Sequence, residues 1–167
     1  MSITIEKAKP ADAVELIAHF KKIGAETDNM TFGAEGIPRN TEEEAEYLAE
    51  IENSADKVVF VAKEDGKIIG EASLQRLSRR MSHRGGFAVA VAKAHWNKSV
   101  GSQLLSKAIE FAGANAFEII ELQVRSDNVH AIHLYEKFGF KKICTYPGFL
   151  KIGTDYFDVD YMYLHLT

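Results

Sequence analysis

Cysteine is almost missing from this chain. Cys144 stands alone among 167 residues, so no intrachain disulfide can form, and a reducing compartment, the cytoplasm, is the expected location. A nucleophilic cysteine would need a histidine partner, which spacing alone does not supply. The alternating run Ile143-Cys144-Thr145-Tyr146 instead predicts a buried strand residue at Cys144. Long hydrophobic runs are also lacking. The longest, Phe87 to Ala92, falls far short of the roughly 20 residues a helix needs to cross a bilayer, which excludes a helical membrane span. The opening residues Met1-Ser2-Ile3-Thr4-Ile5-Glu6-Lys7 have neither a basic nor an apolar stretch, so no secretory signal is expected.

A basic surplus is absent as well. Twenty Lys and Arg face 24 Asp and Glu, for a net charge of −4. Duplex binders draw their affinity from neutralised phosphates, so neither nucleic acid nor a membrane surface is an expected partner. The one dense basic stretch is Arg76, Arg79, Arg80, His83 and Arg84. It reads as a solvated loop, with a local anion site as the alternative. His130 and His133 lie one helical turn apart, but no H-E-x-x-H or second ligand group accompanies them, so no metal is expected. No repeat, low-complexity tract or linker divides the chain, and residues 1–167 read as a single domain.

What the chain does have is a globular composition, with 46% apolar and 26% charged residues. A chain of this length buries roughly 70% of the surface it exposes unfolded, enough for one well-formed core. Ile3 to Lys7 alternates as a short strand. Pro10 opens a helix over about 10–23, with Ala13, Ile17, Phe20 and Gly24 on one face and Leu16 and Ile23 beside it. Glu26 to Asn40 has no period and holds Gly33, Gly36 and Pro38, which predicts a loop. Thr41 and Glu44 form a candidate capping box before a helix reaching about Asn53. Strands follow at Lys57–Lys63 and Ile68–Leu77, joined by an Asp65-Gly66 hairpin turn. Further elements are a strand at Gly86–Ala92, a helix at Val100–Ala114, a strand at Phe117–Arg125 and a helix at Asn128–Phe138 that stops at Gly139. Strands at Phe140–Tyr146 and Tyr156–Leu166 close the chain around a Gly-rich connection. Early hairpins followed by two crossover helices imply a mixed α+β sheet with helices on its faces.

The chemistry concentrates in two segments. The first is an apolar strand, Phe87 to Ala92, followed by His95-Trp96-Asn97-Lys98-Ser99-Val100-Gly101-Ser102 at a helix start. Helix starts expose unpaired N–H groups and the positive end of the dipole, and small residues let those amides close around a phosphate. An ordinary helix entrance is the competing reading. A Walker loop is excluded, because no Gly-Lys-Ser/Thr triplet ends the segment. The second segment begins 27 residues after Gly101, as Asn128-Val129-His130-Ala131-Ile132-His133-Leu134-Tyr135-Glu136-Lys137-Phe138-Gly139-Phe140. Ala131, Ile132, Tyr135 and Phe138 fall at helical spacing, so a core aromatic is the simplest role for Tyr135.

Strand, small-residue helix start, strand, then N-x-x-A-I-x-L-Y-E-K-F-G-F together resemble the GNAT superfamily of acetyl-CoA-dependent N-acetyltransferases. The motif likeness covers about residues 86–140, and the order of elements covers essentially the whole chain. Trp96 stands where such proteins usually carry Arg or Gln, and Ser99 where they carry the first Gly. The resemblance implies a splayed, mostly antiparallel sheet of about seven strands with about four helices. It implies acetyl-CoA as co-substrate, with pantetheine held by main-chain groups of Val89, Ala90 and Val91 and pyrophosphate by amides of Asn97, Lys98, Ser99, Val100, Gly101 and Ser102. Asn128 would contact the cofactor, and Tyr135 would direct its hydroxyl at the thioester sulfur.

Such an enzyme would acetylate a primary amine of a small molecule or a peptide. Thioester aminolysis needs a neutral amine, a donor for the tetrahedral oxyanion and a proton for the departing thiolate. A main-chain N–H near Val91 suits the oxyanion and Tyr135 the thiolate. Glu121 and Glu71 are the candidate bases, each with a structural carboxylate as the simpler role. Glu121 and Gln123 share one strand face, opposite Ile120, Leu122 and Val124. Glu26, Asp28 and Phe32 lie in the loop expected to wall the acceptor pocket, where two carboxylates would suit a cationic amine. Asp158 and Asp160 share a strand face expected to meet solvent. A non-catalytic acyl-CoA-binding or regulatory domain is the alternative function, and homodimers are common in such folds.

Overall fold

Val58-Val59-Phe60-Val61-Ala62 is apolar at every position because both faces of its strand are covered. In the computed structural model, which describes residues 2–166, this run is the centre of strand β2 (Lys57–Glu64). Val58, Phe60 and Ala62 point to one side, where helix α3 (Val100–Ala114) contributes Val100, Leu104, Leu105 and Ala108 to the main core. Val59 and Val61 point to the other, against Leu16 and Phe20 of helix α1 (Ala13–Glu26) and Leu48 of helix α2 (Thr41–Ile51). Side chains alternate at every residue of a strand, so a strand with helices on both faces loses its polar positions. Met1 and Thr167, the ends of the expected 1–167 domain, lie outside the described residues.

The remaining strands are β1 (Ile3–Lys7), β3 (Lys67–Arg76), β4 (Arg84–Val91), β5 (Ile119–Arg125), β6 (Lys141–Ile152) and β7 (Asp155–His165), and helix α4 (Val129–Lys137) precedes β6. They form one seven-stranded sheet in the order β1-β2-β3-β4-β5-β7-β6. Strands β1 to β4 make an antiparallel meander, β4 and β5 are parallel across α3, and β5, β7 and β6 are antiparallel again. This is the mixed, mostly antiparallel α+β sheet that the sequence predicts. The Asp65-Gly66 turn also has its expected form, with φ of 50° and 78°. No helix among the described residues is long and apolar enough to cross a membrane.

Several local expectations are corrected. The capping box sits one residue earlier than Thr41 and Glu44: Asn40 Oδ1 accepts from the Glu43 amide, and Glu43 accepts from the Asn40 amide. Glu44 is thereby turned inward and is buried. The buried face of α1 is Ala13, Leu16, His19, Phe20 and Ile23, with Ile17 at its margin, so a histidine occupies a core position that an apolar pattern passes over. The closing hairpin is longer than predicted. Gly148 and Gly153 both take positive φ, and the Gly-rich connection is absorbed into strand with a register shift between Tyr146 and Leu150. Strand β6 is the sheet edge, so Cys144 is exposed rather than buried. Asp160 is the reverse case, since it is buried and accepts from Ser126 Oγ at 2.6 Å and Thr145 Oγ1 at 2.7 Å. The basic stretch is neither a free loop nor an open anion site at Arg76. That guanidinium donates to Asp56 and to the carbonyls of Ser82 and Asn115, and it stacks over Phe117 at 3.9 Å.

Two helical glycines make opposite predictions. A Cβ at Gly24 would lie 1.8 Å from the Gly33 carbonyl oxygen, where α1 meets the backbone of its own following loop. Gly24→Ala is expected to destabilise by at least about 1–3 kcal/mol, the usual cost of forcing extra volume into a packed site. Gly113 in α3 has nothing within 4 Å. Gly113→Ala is expected to stabilise by roughly 0.5–1 kcal/mol through helix propensity. Urea unfolding of both variants beside the parent checks the signs.

Candidate active site

Strands β4 and β5 are joined for only three register pairs, Arg84 with Ile119, Gly85 with Ile120 and Gly86 with Glu121. From Phe87 onward the β5-facing edge of β4 has no strand partner. A cavity of about 930 Å³ opens there, walled by Phe87, Val89 and Val91 on one side and Leu122, Gln123 and Val124 on the other. The far end of β4 is held by three tethers instead of a neighbouring strand. His19 Nε2 donates to the Ala90 carbonyl at 3.2 Å, Trp96 Nε1 donates to the Val91 carbonyl at 2.8 Å, and the Lys93 amide donates to Glu26 at 2.9 Å. Burial lowers the proton affinity of His19, so it serves as a neutral imidazole. Neither His19 nor Trp96 is marked as a tether by any sequence motif.

At the mouth of the cavity, α3 begins without a side-chain cap. Asn97 and Ser99 both lie in the left-handed region, with φ of 61° and 60°. Left-handed residues beside a helix start turn several amides toward one concavity, the geometry that binds anions. Ser99 adopts the conformation that glycine takes most easily, so the replacement of Gly by Ser preserves the loop shape at a conformational cost. Gly101 keeps its site open, since a Cβ there would stand 3.3 Å from Leu134 of α4. Asn97, Ser99, Val100, Gly101 and Ser102 line the cavity, as do Val89, Val91 and Asn128. Lys98 does not, and Ala90 faces the other side of the sheet. Asn128 caps α4 through Oδ1, which accepts from the Ala131 amide at 3.3 Å.

Tyr135 comes to the cavity from α4, wedged between Phe87 at 6.5 Å and Phe140 at 5.6 Å. It is 6% exposed, and among the described residues nothing hydrogen-bonds its hydroxyl. Burial pushes its pKa upward, which keeps the phenol neutral. Its ring packs as the expected core aromatic while its position borders the cavity.

The two candidate bases lie on the opposite sheet face. Glu121 borders the cavity but is held by Arg84, whose Nε is 2.7 Å from Oε2 and whose Nη2 binds the same oxygen. Glu71 pairs in register with Val61 and Ala90, which places it on the α1 and α2 face. It lines a second cavity of about 450 Å³ that shares Met30, Thr31, Phe32, Ala88 and Val89 with the first. Burial and then the nearby Glu44 carboxylate push its pKa up to about 8, against the opposing pull of Arg39. The loop after α1 covers this face, fastened by Arg125 Nη1, which donates to the Asp28 carbonyl at 3.1 Å. Of the residues expected to wall an acceptor, Phe32 does border both cavities. Glu26 and Asp28 border neither, since Glu26 is the last residue of α1 and turns to the Lys93 amide and Lys22.

Comparison with known proteins agrees with this geometry. The sequence model of the acetyltransferase (GNAT) family matches residues 25–140. The L-amino acid N-acetyltransferase AaaT of Escherichia coli is 33% identical over 106 residues, covering 62% of this chain and 65% of that protein. Other curated relatives are spanned less fully, down to 28% of one from Mycobacterium leprae. A GNAT-family acetyltransferase structure from Streptococcus pneumoniae superposes with a TM-score of 0.94 at 30% identity, covering 98% of this chain and 99% of that one. A Sinorhizobium meliloti phosphinothricin acetyltransferase in complex with acetyl-CoA shares the fold, with a TM-score of 0.84 at 18% identity over 99% of this chain and 89% of that one. The family match runs through both parted strands and the helices that flank them, and it takes in well over half of the sequence: the chain belongs to the acetyltransferase (GNAT) family.

Proposed function

We propose that this protein transfers the acetyl group of acetyl-CoA to a primary amine by direct attack within a ternary complex. The observation that carries this reading is the slot between β4 and β5, open to a phosphate-shaped helix start at one end and bordered by a neutral buried phenol. Bound acetyl-CoA would supply an activated thioester carbonyl. The unpaired edge of β4 from Phe87 to Val91 offers main-chain groups to pantetheine, and the uncapped amides from Asn97 to Ser102 suit pyrophosphate. Among the described residues Asn128 Nδ2 has no hydrogen-bond partner, because only Oδ1 is used in capping. A single exposed cysteine is compatible with work in the cytoplasm.

The chemistry divides between the sheet faces. An amine of pKa about 10.4 must lose a proton before attack, which costs roughly 4–5 kcal/mol at pH 7. Glu71, with proton affinity close to working pH, is the better matched base, acting through solvent in the second cavity. Glu121 has its Oε2 committed to Arg84. A main-chain N–H near Val91 would receive the oxyanion. As the C–S bond of bound acetyl-CoA broke, Tyr135 would donate to the sulfur; of the two protons an ammonium loses on becoming an amide, one would restore Tyr135 through solvent and the other would leave by way of Glu71. The products are an N-acetylated amine and free CoA thiol.

Thiol release from acetyl-CoA with a panel of amines tests the assignment. Turnover is expected, and tight CoA binding with no thiol release for any amine would favour a non-catalytic acyl-CoA-binding domain. Gly101→Glu is expected to abolish CoA binding in a calorimetric titration, because it adds volume and negative charge where phosphate would approach. An intact fold with unaltered affinity would remove the pyrophosphate assignment.

Tyr135→Phe removes only the hydroxyl. It is expected to lower kcat by roughly 10²–10⁴-fold with acetyl-CoA affinity maintained. A purely structural tyrosine predicts a lower Tm and a normal kcat, so both are measured on the same protein.

Glu71 yields linked predictions of opposite sign. Its carboxyl must ionise to act, so the rate should rise as pH passes about 8. Stability runs the other way. With its pKa raised from 4.5 to about 8, the folded state keeps a proton that the unfolded chain releases. That contribution is full below the unfolded value and is lost as pH rises through the folded one. Glu71→Gln is expected to flatten the stability decline and to lower kcat by roughly 10²-fold or more. An unchanged pH–rate profile in this variant would assign the base elsewhere.

A further inference from the structure

The second cavity contains a cation whose geometry exceeds what the fold requires of it. Arg39 Nε donates to Glu44 Oε2 at 2.5 Å, and the Glu44 side chain is 2% exposed. The guanidinium carbon also stacks 4.2 Å from the Tyr47 ring centre. These two contacts fix the plane of the group from its Nε side and from one face. Among the described residues, neither Nη nitrogen has a hydrogen-bond partner, and the side chain is 41% exposed while lining the cavity. Neutralising Glu44 alone would be served as well by a two-pronged pair through the Nη groups. The observed pair uses one prong and leaves the Nη edge free. A planar, pre-oriented guanidinium edge is the arrangement that recognises a carboxylate.

The rest of the cavity suits a small zwitterion. Its volume of about 450 Å³ lies in the range of small-molecule sites. Phe32 supplies apolar wall, and the parted strand β4 borders the space through Ala88, Val89 and Ala90. Glu71 faces the same space from β3. A ligand with one carboxylate and one ammonium gives Arg39 an anion and Glu71 a cation without changing the net charge of the site. We propose that the acceptor carries a carboxylate close to its amine, as an α-amino acid does, and that Arg39 receives that carboxylate. This rests on the acetyltransferase reading and selects a free amino acid over a peptide N-terminus, whose neighbouring carbonyl is an amide.

The experiment pairs L-amino acids with the carboxamides of the same side chains. Each pair is compared by thiol release from acetyl-CoA and, independently of turnover, by ligand-detected NMR binding to the CoA-loaded protein. The parent protein is expected to prefer the free acid by about 10- to 100-fold, the range of a hydrogen bond to a charged group. Most of that difference should appear in KM. Arg39→Gln is expected to erase the preference, and Arg39→Lys to restore part of it. Because Arg39→Gln strands the buried Glu44 carboxylate, the double variant Arg39→Gln with Glu44→Gln is run beside it, with the same loss of preference expected. Equal use and equal binding of acids and amides by the parent overturns the proposal, as does a preference that survives in the double variant. If no amine is acetylated, the acetyltransferase reading fails, and carboxylate-dependent binding still decides the role of Arg39.

Discussion

The unpaired edge of β4 is the constraint on which the rest depends. A strand in the middle of a sheet ordinarily gives both edges to its neighbours, since buried N–H and C=O groups are costly to leave without partners. Here β4 gives one edge to β3 along its length and the other to β5 for three pairs only. The freed groups can be satisfied by a ligand that runs between the strands, and the space created passes through the sheet rather than lying on one side of it. That explains the three tethers at the far end of β4. His19 and Glu26, both from α1, and Trp96, from the segment after β4, together keep the strand in place where β5 no longer does.

A slot through a sheet separates its two walls chemically. On the α3 and α4 side the wall is apolar and aromatic, so burial keeps Tyr135 protonated. On the α1 and α2 side lie Glu71, Glu44 and Arg39, and burial first, then the Glu44 carboxylate, raises the proton affinity of Glu71 against the opposing pull of Arg39. A neutral phenol and a carboxyl of raised proton affinity therefore border two adjoining cavities on opposite faces of the sheet. The loop after α1 walls the second cavity through Met30, Thr31 and Phe32. Its fastening to Arg125 ties that wall to β5, the strand on the far side of the slot.

Trp96 and Ser99 show how a departure from a family pattern can preserve geometry. Ser99 accepts a left-handed backbone that glycine would take freely. Trp96 replaces a side chain expected at the phosphate loop, and its indole N–H goes to the Val91 carbonyl. The first change keeps the amides turned toward one concavity. The second places a strand tether at that position.

The order of the elements and most of their bounds were legible in the amino-acid sequence, because hydrophobic periodicity and turn chemistry are local. Val100–Ala114, the Asp65-Gly66 turn and the seven strands follow from such signals. The cleft residues Asn97, Ser99 to Ser102, Asn128 and Tyr135 were legible for a different reason, since they lie in two contiguous stretches with a recognisable pattern, though Lys98 within the first does not line the cavity. Features that depend on distant partners were not. Cys144 and Asp160 exchange their expected burial because edge position and a Ser126–Thr145 pocket are properties of the sheet. Glu26 and Asp28 sit in the loop predicted to wall the acceptor, yet their side chains do not border the cavity, since α1 continues to Glu26 and turns it toward Lys93. Arg39, Glu44 and Glu71 meet only because α2 and the loop before it lie over the sheet face that carries Glu71. The sequence by itself determined which segments fold and which stretches carry the family pattern. Which charges share a cavity was decided by the tertiary structure alone, because that depends on the relative placement of elements and not on spacing along the chain.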